Sequence, residues 1–164
     1  MDITIRHAEP DDYLALHEVY SQPRAVSGTL QLPLPSKEMW RKRLLEKPDN
    51  FITLVAAVDG TVVANLGLVM ERNLRRRHVA HLGMAVHDRW QGQGVGSAIL
   101  GEALDLADSW LNLVRVELTA FTDNEPAIRL YEKFGFKREG VLRKYAYRAG
   151  SYQDVVAMAR LKDS

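Results

Sequence analysis

Between Arg89 and Leu100 the chain reads RWQGQGVGSAIL, with glycines at 92, 94 and 96 ahead of an apolar run. Glycine lets the backbone take positive φ and come close to a ligand. A dinucleotide fingerprint, G-x-G-x-x-G, fails in both registers: counted from Gly92 it ends on Ser97, and counted from Gly94 on Ile99. A P-loop fails as well, because Glu102 stands where the spacing from Gly96 and Gly101 calls for lysine. What remains is a strand end, converging amides over Gln91–Ser97, and a helix start. The first N–H groups of a helix have no internal partner and its dipole favours an anion. Two readings stay open on these residues: a diphosphate held mostly by amides, or a glycine-rich tight turn with no ligand.

Other residues could carry chemistry. His78 and His81 precede the loop, and imidazole can take and return a proton near neutral pH. Their spacing of three puts them on opposite faces of a strand, so they cannot readily chelate one metal, and no other metal pattern is present. Each could equally be a hydrogen-bonded structural residue or a substrate contact. Tyr131 follows Asn124 by seven residues, nearly two helical turns, which puts both on one helix face about 10 Å apart. Arg72, Arg75, Arg76 and Arg77 crowd one turn; such a run is either a solvated loop or a cationic rim that favours a carboxylate-bearing ligand.

These residues need elements to position them. ITIRHA alternates like a half-buried strand, and PDDYLALHEVY carries Tyr13, Leu16 and Tyr20 at helical spacing. SQPRAVSGTLQLPLPS, rich in proline, reads as a long loop suited to lining a pocket. Ser36 is placed to cap a short helix bearing Trp40 and Leu44. FITLVAAV and TVVANLGLVM flank Asp59-Gly60, a hairpin turn, and HVAHLGMAVH completes an antiparallel meander. The helix after the glycine loop is predicted to run to about Leu111, with Ile99, Ala103, Leu106 and Trp110 inward. Then come the strand VRVELTAF, a helix in DNEPAIRLYEKFG ended by Gly135, and a hairpin from FKREGVLRKYAYR and YQDVVAMARL. The order predicts one mixed α/β domain over residues 1–164.

The bulk numbers agree with a soluble enzyme-sized domain. Hydrophobic residues are 46% and charged residues 26% of 164, with net charge +1. There is no global field to draw nucleic acid or a membrane surface. The absence of cysteine excludes a disulfide framework, a Cys-ligated metal and a Cys nucleophile. The N-terminus shows no signal-peptide core, so a cytoplasmic protein is expected.

Two segments together carry a resemblance. Gln91-Gly92-Gln93-Gly94-Val95-Gly96 matches the (Gln/Arg)-x-x-Gly-x-(Gly/Ala) signature of the GNAT acyl-CoA N-acyltransferase superfamily. DNEPAIRLYEKFGF resembles that family's Asn-x-x-Ala-x-x-Leu-Tyr-x-x-x-Gly-Phe segment. The order of elements is similar to the family fold over nearly the whole chain: a mostly antiparallel sheet of about seven strands flanked by about four helices. RRRHVAHLGMAVHDRWQGQGVG and GSYQDVVAMAR resemble the bacterial branch that acetylates free amino acids and related amines, phosphinothricin-type enzymes among them.

The resemblance implies acetyl-CoA as cosubstrate, no metal, and a small-molecule amine as acceptor, with no nucleic-acid or membrane partner. It implies that the pyrophosphate sits on the amides of Gln91, Gly92, Gln93, Gly94, Val95, Gly96 and Ser97. It implies further that the pantetheine arm lies along the main chain of Met84, Ala85 and Val86 and reaches Asn124. A bulge at Gly83 would free those amides from the sheet. Tyr131 becomes the candidate acid for the leaving thiolate, with a core tyrosine as the alternative. His81 stands where relatives often carry a carboxylate, and is the candidate base; His78 is its rival or a substrate contact, with Glu71 and Glu117 as weaker candidates. Leu30, Gln31, Arg76 and His78 are candidate acceptor contacts. Tyr145 and Tyr147 are weaker ones, and Arg129 and Lys133 could meet CoA phosphates or only water. A protein or peptide acceptor, or a non-catalytic acyl-CoA sensor, would use the same core. Homodimers are common among the proteins it resembles, so a dimer is a further expectation.

Overall fold

A computed structural model describes residues 1–162. Its seven strands form one sheet: β1 (Ile3–His7), β2 (Phe51–Val58), β3 (Thr61–Met70), β4 (Val79–Val86), β5 (Arg115–Phe121), β6 (Lys137–Arg148) and β7 (Ser151–Leu161). Their order is β1-β2-β3-β4-β5-β7-β6. Only β4 and β5 run parallel. Asp59 and Gly60 both take positive φ, as do Ala149 and Gly150. That is the pairing that matches the twist of a two-residue hairpin. The first turn was legible as Asp-Gly; the second is built on an Ala-Gly pair.

Five helices accompany the sheet: α1 (Tyr13–Val19), α2 (Pro23–Ser27), α3 (Lys37–Leu45), α4 (Val95–Ser109) and α5 (Glu125–Lys133). The segment expected to be one loop thus contains α2, opened by proline at its first position, where the missing N–H costs nothing. Ser36 caps α3 as anticipated, its Oγ accepting from the Met39 amide at 3.0 Å. Asn124 caps α5 through its Oδ1 and the Ala127 amide at 3.4 Å.

The sheet alternation divides the core into two layers. Leu66, Leu68, Leu82 and Leu118 point to α4 and α5, packing on Ile99, Leu100, Leu104 and Ile128. Val55 and Ala85 point the other way, under Leu16, Val19, Tyr20 and Trp40. Ile99 and Ala103 of α4 are buried as expected, whereas Leu106 is only half-buried. Leu100, Leu104 and Ala107 are buried, while Trp110, expected in the core, lies beyond the last turn and is 78% exposed. Tyr20 and Trp40 stack at 4.5 Å, and the Tyr20 hydroxyl donates to Asn65 Oδ1 at 2.7 Å beneath the sheet face. Among the described residues no helix is long and apolar enough to cross a membrane.

Candidate active site

The site starts where the sheet opens. β4 and β5 pair only over Val79–His81 and Arg115–Glu117. Beyond that β4 stays on β3 as far as Val86, and β5 stays on β7 as far as Phe121, so a wedge parts them. Antiparallel ladders bond alternate residues to one neighbour. The bonds from the His87 amide to Val63 and from the Glu71 amide to Val79 set that phase. The main-chain groups of Gly83 and Ala85 therefore belong to β3, and those of Leu82, Met84 and Val86 face the wedge. Gly83 stands opposite Gly67 in unbroken register. The bulge expected there does not exist; the splay of the strands frees the amides instead.

On one side of the wedge is a cavity of about 630 Å³ lined by Met84, Ala85, Val86, Gln91, Gly92, Gly94, Gly96, Ser97 and Asn124, with Arg24 and Arg148 at its edge. Gly92 and Gly94 have φ of 73° and 88°, and Gly94 opens α4 with no side chain capping it. The first-turn amides of a fifteen-residue helix thus lack a side-chain partner, as an oxyanion cradle requires. Gly96 has a different reason to lack a side chain. A Cβ there would lie 3.3 Å from Leu130 Cδ2 and 3.5 Å from Met84 Cε. Gln91 steadies the loop by donating to the Val86 carbonyl at 3.0 Å. Gln93 turns back to the Arg89 carbonyl at 2.7 Å and Val95 is buried in the core, so neither side chain lines the cavity. Of the expected cationic contacts from α5, Arg129 instead pairs with Glu125 at 3.6 Å.

On the other side lies a larger cavity of about 980 Å³, roofed by residues 28–31 and α3 and floored by the sheet. Leu30 and Gln31 line it as expected, and so does His81. His81 is exposed on β4 between Val69 and Glu117. The two cavities share Gly28, Thr29, Met84, Thr119 and Tyr131. Tyr131 is therefore a wall of both, 7% exposed, its ring edge-on to Phe136 at 5.6 Å. Burial pushes its hydroxyl up to about 12, so it keeps its proton at neutral pH.

Other expected residues are not brought to the cavities. His78 precedes β4, and its carbonyl accepts from the Val114 and Arg115 amides at the start of β5. Arg76 lies against Glu117 at 3.3 Å and Glu71 at 3.9 Å, and Arg72 against Asp49 at 2.7 Å. Two of the four arginines of this turn, Arg72 and Arg76, are thus paired with neighbouring carboxylates, which counts against the cationic-rim alternative. Glu117 is also bound by Arg115 at 2.8 Å. Tyr145 and Tyr147 are exposed on β6, outside both cavities.

The residue that the sequence reading missed is Arg43. It is the only arginine lining the larger cavity among the described residues. It donates to Gln31 Oε1 at 2.7 Å and lies 4.8 Å over the Trp40 ring, with no carboxylate partner among the described residues. Its signal was its place between Trp40 and Leu44, two positions recognised only as core.

Comparison with known proteins identifies the family. Residues 13–136 match the acetyltransferase (GNAT) family. The chain is 46% identical over 161 residues to the L-amino acid N-acetyltransferase AaaT of Escherichia coli strain K12, covering 98% of this chain and 99% of that one. It superposes on the acetyltransferase of GNAT family from Streptococcus pneumoniae with TM-score 0.82 and 31% identity, over 98% of this chain and 100% of that one. The fold is also that of spermidine N-acetyltransferase from Vibrio cholerae solved with CoA and spermine: TM-score 0.84, 24% identity, 97% of this chain and 95% of that one.

Proposed function

The chain belongs to the GNAT acetyltransferase family and is an acetyl-CoA-dependent N-acetyltransferase; we propose that its acceptor is the α-amine of a free L-amino acid or a close analogue. The observation that carries this reading is the meeting of two cavities at Tyr131, one built on an uncapped helix start and the other holding an arginine that no carboxylate of the described residues pairs with. The E. coli relative named for amino-acid acetylation supports it.

Bound acetyl-CoA supplies an activated acyl carbon and a leaving thiolate. The cradle suits its pyrophosphate: positive-φ glycines, free first-turn amides, and Arg24 and Arg148 nearby. The main chain of Met84 and the Val86 amide offer the arm a strand edge not bonded to β3, as an added strand needs; the Val86 carbonyl is already held by Gln91. Asn124 spends its Oδ1 on the helix cap, which leaves its amide NH₂ for the arm.

His81 takes a proton from the incoming amine at its ring nitrogen, directly or through water. Tyr131 donates from its hydroxyl to the departing sulfur, and the burial that keeps it protonated makes it a donor and not a base. Arg43 and Gln31 receive the acceptor's carboxylate, and Leu30, Met39 and Trp40 line the space for its side chain. We further assign the protein to the cytoplasm, and the exposed Val141, Leu142, Tyr145 and Tyr147 of edge strand β6 to contact with a second copy.

The test is release of free CoA thiol from acetyl-CoA across L-amino acids, their decarboxylated amines, polyamines and short peptides. Release confined to amino acids is the expected result. Release with peptides alone would move the acceptor to a protein, and binding without release would make the chain a sensor.

A further inference from the structure

We propose that Asp88 is a positioning residue that latches α2 across the open wedge and so couples the acetyl-CoA site to the acceptor site; the proposal rests on the donor and acceptor assignments above. Asp88 lines neither cavity. It sits in the turn Asp88–Trp90 that leads directly into the glycine loop. Its carboxylate accepts from two successive amides of α2, Arg24 at 2.9 Å and Ala25 at 3.1 Å. Gln91, the first residue of the cradle, reaches the same carboxylate at 3.5 Å while holding Val86. One side chain thus joins the end of β4, the cradle and α2.

The helix needs that bond. α2 has five residues, and Gln22 at its start gives no side-chain cap. A helix this short has no stability of its own in water, and its leading N–H groups must find acceptors. Asp88 supplies them from 64 residues away. The far end is tied to the other wall of the wedge: Arg148 donates to the Ser27 carbonyl at 3.3 Å and is itself held on Asp123, next to Asn124. α2 therefore spans from the β4 side to the β5 side. The residues that leave it, Gly28 and Thr29, line both cavities, and Leu30 and Gln31 continue as the acceptor roof. A ligand that settles the glycine loop fixes Asp88, which fixes α2, which completes the roof. Such coupling is reciprocal between the two ligands.

The test is amide hydrogen exchange with CoA alone as the probe, followed by kinetics. In the wild type, CoA should slow exchange over residues 22–31 by about tenfold or more. Asp88→Ala should bind CoA within about threefold by calorimetry yet lose that slowing. Asp88→Asn keeps an acceptor for one of the two amides and should restore part of it. With the best acceptor of the panel, Asp88→Ala should raise the acceptor KM about tenfold and change kcat by less than about threefold, a split that general loosening of the fold would not give. Exchange over 22–31 that ignores CoA in the wild type, or that Asp88→Ala leaves as in the wild type, overturns the latch. CoA that does not bind the wild type overturns the donor site and the latch together, and the calorimetry separates that failure from the first.

Discussion

Replacing Tyr131 by phenylalanine removes one oxygen at the junction of the two cavities and little else. The ring stays against Phe136, and no hydrogen bond joins the hydroxyl to another described residue. Folding stability should therefore stay within about 0.5 kcal/mol of the wild type, since no buried partner is left unsatisfied. That corresponds to a melting shift of no more than about 2 °C for a chain of this size. Turnover should behave differently. A positioned proton donor is worth about 10²–10⁴ in rate, or about 3–5 kcal/mol of barrier, so kcat should fall by at least about a hundredfold with CoA affinity within about twofold. The assay is thiol release with the best acceptor, beside calorimetry with CoA. The raised hydroxyl gives a second, independent readout. Its proton is held more tightly in the folded protein, so its contribution to stability is complete below pH 10. It is lost as pH rises towards about 12, because the unfolded chain's tyrosine ionises first. By pH 11 the wild type should have lost roughly 1 kcal/mol more than Tyr131→Phe in denaturant titrations. A kcat within about threefold of wild type would refute the donor role; equal losses at pH 11 would refute the burial argument beneath it.

His81→Gln should lower kcat/KM by about a hundredfold and His78→Gln by less than about twofold, because only His81 lines the acceptor cavity; steady-state kinetics decides. Arg43→Met should raise KM about tenfold or more for amino acids and leave their decarboxylated amines within about twofold, a contrast read from paired substrates. Tyr20→Phe strands the buried Asn65 Oδ1 and should cost about 1–3 kcal/mol by chemical denaturation. Gly94→Ala should cost about 1–2 kcal/mol, since alanine must adopt left-handed φ there. Gly96→Ala should be within about 1 kcal/mol of neutral by the same measurement, helix propensity offsetting a contact that Leu130 can relieve.

Local rules made most of the architecture readable. Asp59-Gly60, the Ser36 cap and the alternation in ITIRHA, which forms β1, each report on residues close in sequence, and each element stands where they indicate. The failures are places where a distant residue decides. α2 looks like loop because its own start offers no cap, and Asp88, far along the chain, provides one. Trp110 has the helical spacing of a core residue, but the helix ends before it and its side chain is left exposed. Arg76 and Arg72 read as open cations until the acidic partners, brought by other elements, are seen beside them. Arg43 is the converse: a charge at a surface-like helix position that the fold turns over an aromatic ring and into a cavity.

The three glycines that first mark the loop divide along the same line. Gly92 and Gly94 are required by the backbone itself, and a sequence rule can see that requirement because positive φ is a local property. Gly96 has an ordinary helical backbone, and Leu130 of α5 and Met84 of β4 converge on the space a side chain would take, so that even a Cβ makes the Leu130 side chain give way slightly. That convergence closes the back of the wedge that the parting of β4 and β5 opens at the front. With a residue larger than alanine there, α5 would have to stand farther from β4, and Tyr131 would move away from Met84, which shares both cavities with it. The motif therefore does two separable things: two glycines give the loop its positive-φ turns, and the third lets α4 lie close to Leu130 and Met84, beside the cavity wall that Tyr131 forms.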